Sequence, residues 1–284
     1  MWEYDFANRF VRHVGKGAGL LTILKEHQGF GRQIWKLARL EIRKRFKGSF
    51  FGSAWAIISP VTTLLLFWFV FTVGLRVGGD VHGVSFFLFL MVGMVPWFFI
   101  RDMINQVSKS IRAHKQYVTK INFPVSTIMT FSSLSIFMVH MLLLAFMYVY
   151  LIFAGYAPSL YNLQFFFYAP LAFFFFLALS WTTATWVVFS KDLQSLISSV
   201  MVAVFWLSGV LWNSYDLEIV WLQKLMLFNP VTFIVNGYRK SFIYFEWFWE
   251  NPLEVYVFLG LFAIVVAFGI FNYNRLRKDM ADVL

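Results

Sequence analysis

Long apolar stretches alternate with short polar ones along the chain, and six of them reach or approach the length of a membrane-crossing helix. They cover residues 54–73, 86–107, 126–154, 164–189, 196–212 and 255–273. A hydrocarbon layer about 30 Å thick takes roughly 20 helical residues at about 1.5 Å each. The second stretch is apolar only to Ile100, after which Arg101 and Asp102 mark the approach to the headgroups.

Three further segments are neither span nor plain loop. In 34–47, Ile34, Trp35, Ala38, Ile42 and Phe46 fall within about 120° of helical arc, with Lys36, Arg39, Arg43 and Lys47 opposite. Leu40 and Arg45 depart from the pattern. A basic face backed by Trp and Phe describes a helix lying in the membrane interface. It serves as an anchor on anionic lipid, as a contact for an anionic headgroup that is cargo, or as both. Residues 110–124 are too polar to span and too long for a tight turn, so a short helix parallel to the membrane is expected over 110–123. It is either a connector or a docking surface for a partner. The loop at Ser190, Lys191 and Asp192 is so short that it joins spans four and five as a tight pair. Between spans five and six, 219–228 and 231–245 are two apolar halves broken at Asn229-Pro230. They read as a re-entrant or interfacial hairpin, because such backbone is tolerated at depth only against protein or a water-filled cavity. It either lines the mouth of a pathway or only covers the surface.

The composition excludes a soluble enzyme. Of 284 residues 60% are hydrophobic and 13% charged, with a mean hydropathy of +0.68, against about 25% charged in a soluble domain. The chain has no cysteine, which removes disulfides and thiolate chemistry. The net charge of +10 is accounted for by topology. Eleven Lys and Arg precede span one, five follow span two, Lys191 sits alone, and Arg275, Arg277 and Lys278 follow the last span. Only Arg76, Lys224, Arg239 and Lys240 fall on the other side. By the positive-inside rule both termini are cytoplasmic, and no nucleic-acid partner is needed to explain the basic excess. Residues 1–33 hold no apolar run before a cleavage site, so span one is expected to act as the insertion signal.

Catalytic chemistry is sparse. His13, His27, His82, His114 and His140 show no metal-ligand spacing. His140 lies inside span three, where an ionisable group is either functional or a neutral partner of a neighbouring helix. The glycines of GKGAG at 15–19 lack the P-loop pattern and read as a linker. No internal repeat is visible, which argues against an inverted-repeat carrier. With neither an ATP site nor a coupling-ion site, a chain built to pass something has to draw its energy from elsewhere.

The string LARLEIRKRFKGSFFGSAWAIISPV at 37–61 resembles the N-terminal signature of the ABC-2 type polysaccharide-export permeases. A basic amphipathic segment there runs into a Ser/Gly turn and then a Trp and a Pro inside span one. The matching positions are Arg39, Arg43, Arg45, Lys47, Ser49, Gly52, Trp55 and Pro60. VGMVPWFF at 92–99, TKINFPVS at 119–126 and LFNPVTFIVNGYRKSF at 227–242 extend the likeness in order. Within the family, 67–79 and 244–252 look most like the wall teichoic acid branch; O-antigen and capsule exporters share the architecture. Residues 1–30 lie outside the signature, and the aromatic content of 21% is high for the group.

The resemblance implies an all-α integral membrane protein of six spans, with an N-terminal amphipathic interface helix, a cytoplasmic coupling helix and an outer re-entrant hairpin before the last span. The division is a cytoplasmic segment at 1–52, one transmembrane domain at 53–274 and a cytoplasmic tail at 275–284. It also implies a homodimer in a bacterial cytoplasmic membrane, paired with two copies of an ABC ATPase that binds ATP and Mg. The chain itself would hold no cofactor. Coupling to the ATPase falls on Arg112, Lys115, Tyr117, Lys120, Lys191 and Asp192. Arg39, Arg43, Arg45 and Lys47 would meet the diphosphate of an undecaprenyl-linked polymer, as charge-assisted donors to phosphate oxygens. Trp68, Trp97, Tyr148 and Trp206 are the candidate stacking residues of the polymer path, and Arg239 and Lys240 its candidate phosphate contacts. Each aromatic has the alternative of facing lipid, and each of the two cations that of a solvated loop charge. Competing classes are an ion-coupled carrier and a polytopic transferase of lipid-linked sugar.

Overall fold

The structure is a computed structural model that describes residues 19–121 and 123–284. The linker reading at 15–18, and Arg9, Arg12, His13 and Lys16, lie outside the described residues, as does Asn122 in the 119–126 string. The described chain is helical, and no strand occurs among the described residues.

Two helices precede the first long one, α1 (Leu20–His27) and α2 (Gly31–Phe46). Helix α1 interrupts a stretch the sequence left unassigned. Helix α2 begins three residues earlier than its apolar arc requires, and it buries Ile34 and Ala38 against the third span. Four long apolar helices follow the expected order, α3 (Gly52–Gly74), α4 (Phe86–Val107), α7 (Val125–Phe153) and α8 (Leu160–Phe189). The fifth is α12 (Pro252–Leu276). Helix α4 is largely buried among the others, whereas α3 and α12 stand at the periphery.

Two expectations need correction. The stretch 110–123 is not one helix but two short ones, α5 (Ser110–Ala113) and α6 (Lys115–Thr119), hinged at His114. The stretch 196–212 is not a full-length helix, so among the described residues five rather than six helices are long enough to cross. Helix α9 runs Asp192–Leu207 and covers about 24 Å. It stops because Gly209 adopts φ +66, the left-handed backbone that ends a helix at Gly. The residues that follow are apolar, so hydropathy carries the stretch past its end.

The broken segment between α9 and α12 has the anticipated two halves, α10 (Val220–Leu227) and α11 (Pro230–Arg239), the latter continued by a wider turn through Tyr244. Asn229 caps α11, its side chain accepting from Val231 N and Thr232 N, and Pro230 fills the first helical position, where no N–H is needed. Helix α10 is largely exposed and α11 is buried along its length from Val231. A short helix, α13 (Met280–Val283), ends the chain.

Small side chains set the closest approaches. A Cβ on Gly269 of α12 would lie 2.6 Å from the Ala178 carbonyl of α8, so these two helices meet as membrane helices do at small residues. Helix α7 turns Ser126, Thr127, Ser132, Ser133 and Ser135 inward for the same reason. At the end of the bundle where both described ends of the chain lie, Glu26 gathers three elements. Its carboxylate accepts from Ser126 N and Oγ, from Tyr273 Oη at 2.6 Å and from Arg277 Nη1 at 2.7 Å.

Candidate functional site

A cavity of about 350 Å³ opens between the end of α2 and helices α3, α4 and α7. Arg45, Ser49, Trp55 and Pro60, four residues of the 37–61 string, lie on its wall. Facing them are Arg101, Asp102 and Gln106 from the far end of α4, with Phe98, Phe99 and His140 further along. One carboxylate serves two guanidiniums here. Asp102 Oδ1 accepts from Arg101 Nη2 at 2.9 Å, and Asp102 Oδ2 lies 3.8 Å from Arg45 Nη1. Arg45 also donates to Gln106 Oε1. Arg101 stacks over Phe98 at 5.3 Å. The net charge at this mouth is therefore positive, and the wall beyond it is aromatic. An anion with an apolar or sugar-like extension fits that gradient.

Of the four cations assigned to a headgroup, only Arg45 lines the cavity. Arg39 lies over the Trp35 ring at 4.9 Å, and Arg39, Arg43 and Lys47 are exposed elsewhere on or just beyond α2. Arg101, read from the sequence only as the end of an apolar run, and Gln106 join Arg45 here. Nothing local marks Gln106.

The turns near this cavity are tied to α2 and α9. His114 Nε2 meets Glu41 Oε1 of α2 at 2.9 Å, and this hydrogen bond holds the Glu41 carboxyl below its ordinary value. Ser108 Oγ donates to Gln194 Oε1 of α9 at 2.7 Å, and Ser198 Oγ to Asn105 Oδ1 at 3.0 Å. The structure thus joins the α5–α6 hinge to α2, and the end of α4 with the turn after it to the start of α9. Lys115, Lys120, Lys191 and Asp192 point outward, exposed. Tyr117 does not: its ring packs 5.5 Å from Phe123 and 6.3 Å from Phe131. Arg112 is half-buried, with Nη1 enclosed.

The residues proposed for a polymer path do not form one group. Trp97 is buried against Phe205 at 5.1 Å, Trp68 lies beside Phe87 at 6.3 Å, and Tyr148 packs on Phe242 at 5.9 Å. Trp206 is exposed. Arg239 and Lys240, the candidate polymer-phosphate contacts, are 0% and 1% exposed, so neither is a solvated loop charge. Arg239 donates to the Gly209 and Val210 carbonyls at 2.7 Å each, and its guanidinium lies 3.7 Å from the centre of the Phe89 ring. It takes up buried carbonyls of the non-helical turn that follows α9. A Cβ on Gly93 would sit 2.6 Å from Arg239 Nη2, so only glycine admits this approach. Lys240 pairs with Glu254 at 2.8 Å. His140 pairs with Tyr238 Oη at 2.7 Å, joining α7 to α11.

Residues 32–243 match the ABC-2 type transporter family, and the chain belongs to that family. It is a multi-pass membrane protein, a permease subunit of a transporter. Among its relatives is the O-antigen export system permease protein RfbA of Myxococcus xanthus, 24% identical over 257 residues that cover 90% of this chain and 97% of the relative. The O-antigen export system permease protein RfbA of Klebsiella pneumoniae is 25% identical over 252 residues, 86% of this chain and 92% of that protein.

Proposed function

We propose that this chain is the membrane subunit of an ATP-driven exporter that carries a lipid-linked polysaccharide across the cytoplasmic membrane, with two copies pairing with two copies of an ABC ATPase. The cavity whose mouth is formed by Arg45, Arg101 and Asp102 carries this reading. A diphosphate on an undecaprenyl carrier would displace Asp102 from the two guanidiniums and accept their charge-assisted hydrogen bonds. The attached sugar would then lie along Phe98, Phe99 and Trp55. The relatives, named for O-antigen export, favour a polysaccharide of that kind over wall teichoic acid. The likeness of 67–79 and 244–252 to the teichoic acid branch keeps a polyol phosphate as the second reading.

Charge supports an orientation with both ends inside. Five crossings would place the ends on opposite sides, against the concentration of 20 of 24 basic residues at one face. Helix α9 and the turn after it supply the sixth crossing. The exposed face of Lys115, Lys120, Lys191 and Asp192 then meets the ATPase. Its movement reaches the cavity through His114–Glu41 and reaches α9 through Ser108–Gln194. The ATPase closes on ATP and Mg; the permease converts that closure into a change of its helical packing.

The test is purification of the chain in mild detergent with whatever binds it stoichiometrically, followed by reconstitution. An ATPase at one copy per permease, and ATP-dependent transfer of an undecaprenyl-diphosphate glycan across the vesicle, is the expected result. Transfer by the chain alone, driven by a proton or sodium gradient, would replace the proposal with the carrier reading.

A further inference from the structure

A second, smaller cavity of about 200 Å³ lies at the opposite end of the molecule, between α10, α11 and the start of α12. Tyr215, Gln223, Asn236 and Glu254 line it. From this lining we infer a subsite for one uncharged, hydroxyl-bearing sugar residue of the exported polymer, a reading that rests on the function proposed above.

The chemistry of the wall selects hydroxyl donors. Asn236 is 5% exposed, and its Nδ2 donates to Ser214 Oγ at 2.7 Å, while its Oδ1 has no partner. A buried carbonyl oxygen without a donor costs free energy that a hydroxyl would recover. Glu254 accepts from Tyr215 Oη at 3.0 Å and from Lys240 Nζ at 2.8 Å, and each carboxylate oxygen keeps a further lone pair. Tyr215 is 43% exposed and offers a ring for the C–H face of a pyranose. Acceptors backed by an exposed aromatic suit a sugar.

The same lining refuses phosphate. Lys240 is engaged by Glu254, and Arg239 by the carbonyls after α9. The segments on this side carry Asp80, Asp216, Glu218, Glu246, Glu250 and Glu254, against Arg76, Lys224 and those two buried cations. A polyol phosphate leaving here would meet an acidic face with its cations already occupied. A neutral glycan would not be repelled.

The experiment is saturation-transfer difference NMR on the full chain in nanodiscs, with methyl α-mannoside, methyl α-galactoside and methyl α-glucoside as neutral probes and glycerol 3-phosphate as the charged one. At least one hexoside is expected to receive saturation and glycerol 3-phosphate none. Asn236→Leu and, separately, Tyr215→Leu are each expected to weaken hexoside binding about five- to tenfold, the loss of one hydrogen bond or one stacking face. Size-exclusion profiles matching the parent chain establish that each variant is folded. Saturation of glycerol 3-phosphate in preference to every hexoside, no hexoside bound at all, or hexoside binding unchanged in both folded variants overturns the subsite. ATP-driven export in the reconstituted complex is read separately. Export with no hexoside bound removes the subsite and leaves the function, whereas hexoside bound without export does the reverse.

Discussion

Arg239 holds the Val210 carbonyl at 2.7 Å, a charged side chain at the end of one helix fixing the turn that follows another. The chain leaves helix α9 at Leu207, and the guanidinium fork satisfies the backbone of Gly209 and Val210 at once. A planar fork with several fixed donors does this; a lysine ammonium does not reach both in the same geometry.

Replacing Arg239 with Leu or Lys should lower stability by about 3 kcal/mol or more, because each buried carbonyl left unpaired costs about 1–3 kcal/mol. Thermal unfolding of the detergent-solubilised chain, followed by loss of the monodisperse peak, measures it. Gly93→Ala should behave similarly, since the new methyl enters the space of Arg239 Nη2. Wild-type melting in both variants would show that the contact is dispensable.

Reversing Arg45 and Arg101 together to Glu should reduce export by more than about tenfold, the cost of losing two charge-assisted contacts to a phosphate. Insertion and ATPase binding should be retained. Arg39→Glu with Arg43→Glu should do much less, since neither residue lines the cavity. The comparison is made in vesicles scored for transfer of lipid-linked glycan. Equal loss in both pairs would return α2 to the role of a lipid anchor.

Lys115→Ala with Lys120→Ala should separate ATP hydrolysis from transport while the chain stays folded, because both side chains are exposed. Tyr117→Ala should instead lower the melting temperature, since its ring packs on Phe123 and Phe131. ATPase rate and transfer are measured on the same preparation. Unchanged rates of both in the double lysine variant would remove the docking role from this face.

The Glu41–His114 contact has a defined pH response. Its hydrogen bond to His114 keeps the Glu41 carboxyl below its ordinary value of 4.5, so the contribution from Glu41 is complete above that value. It is lost as pH falls through the depressed pKa. Hydrogen exchange of residues 31–46 should therefore rise on acidification below about 4.5 in the parent chain. In Glu41→Gln the rise should be absent and the exchange already elevated at neutral pH. A parent chain whose exchange does not change with acid would contradict this assignment.

Much of the fold was legible because membrane depth imposes its length on the sequence. Helices α3, α4, α7, α8 and α12 begin and end within a few residues of their apolar runs, and Asn229-Pro230 marked its own break. Helix α9 was read too long because hydropathy weighs side chains, whereas Gly209 ends the helix through its backbone. The cavity was half legible. Arg45, Ser49, Trp55 and Pro60 stand in one string, but their partners Arg101 and Gln106 come from helix α4, and no periodicity within either segment encodes that pairing. The same holds for Arg239, whose burial depends on carbonyls 29 and 30 positions earlier in the chain.

Glu26 gives the protein a late step in its biogenesis. Its carboxylate is almost enclosed, and a cation paired with it, Arg277, emerges from the ribosome 251 residues afterwards. Until then α1, the start of α7 and Tyr273 of α12 share a buried carboxylate without that cation. A nascent chain stopped short of Arg277 would hold all of its apolar helices yet leave the enclosed Glu26 carboxylate to hydroxyl and backbone donors alone.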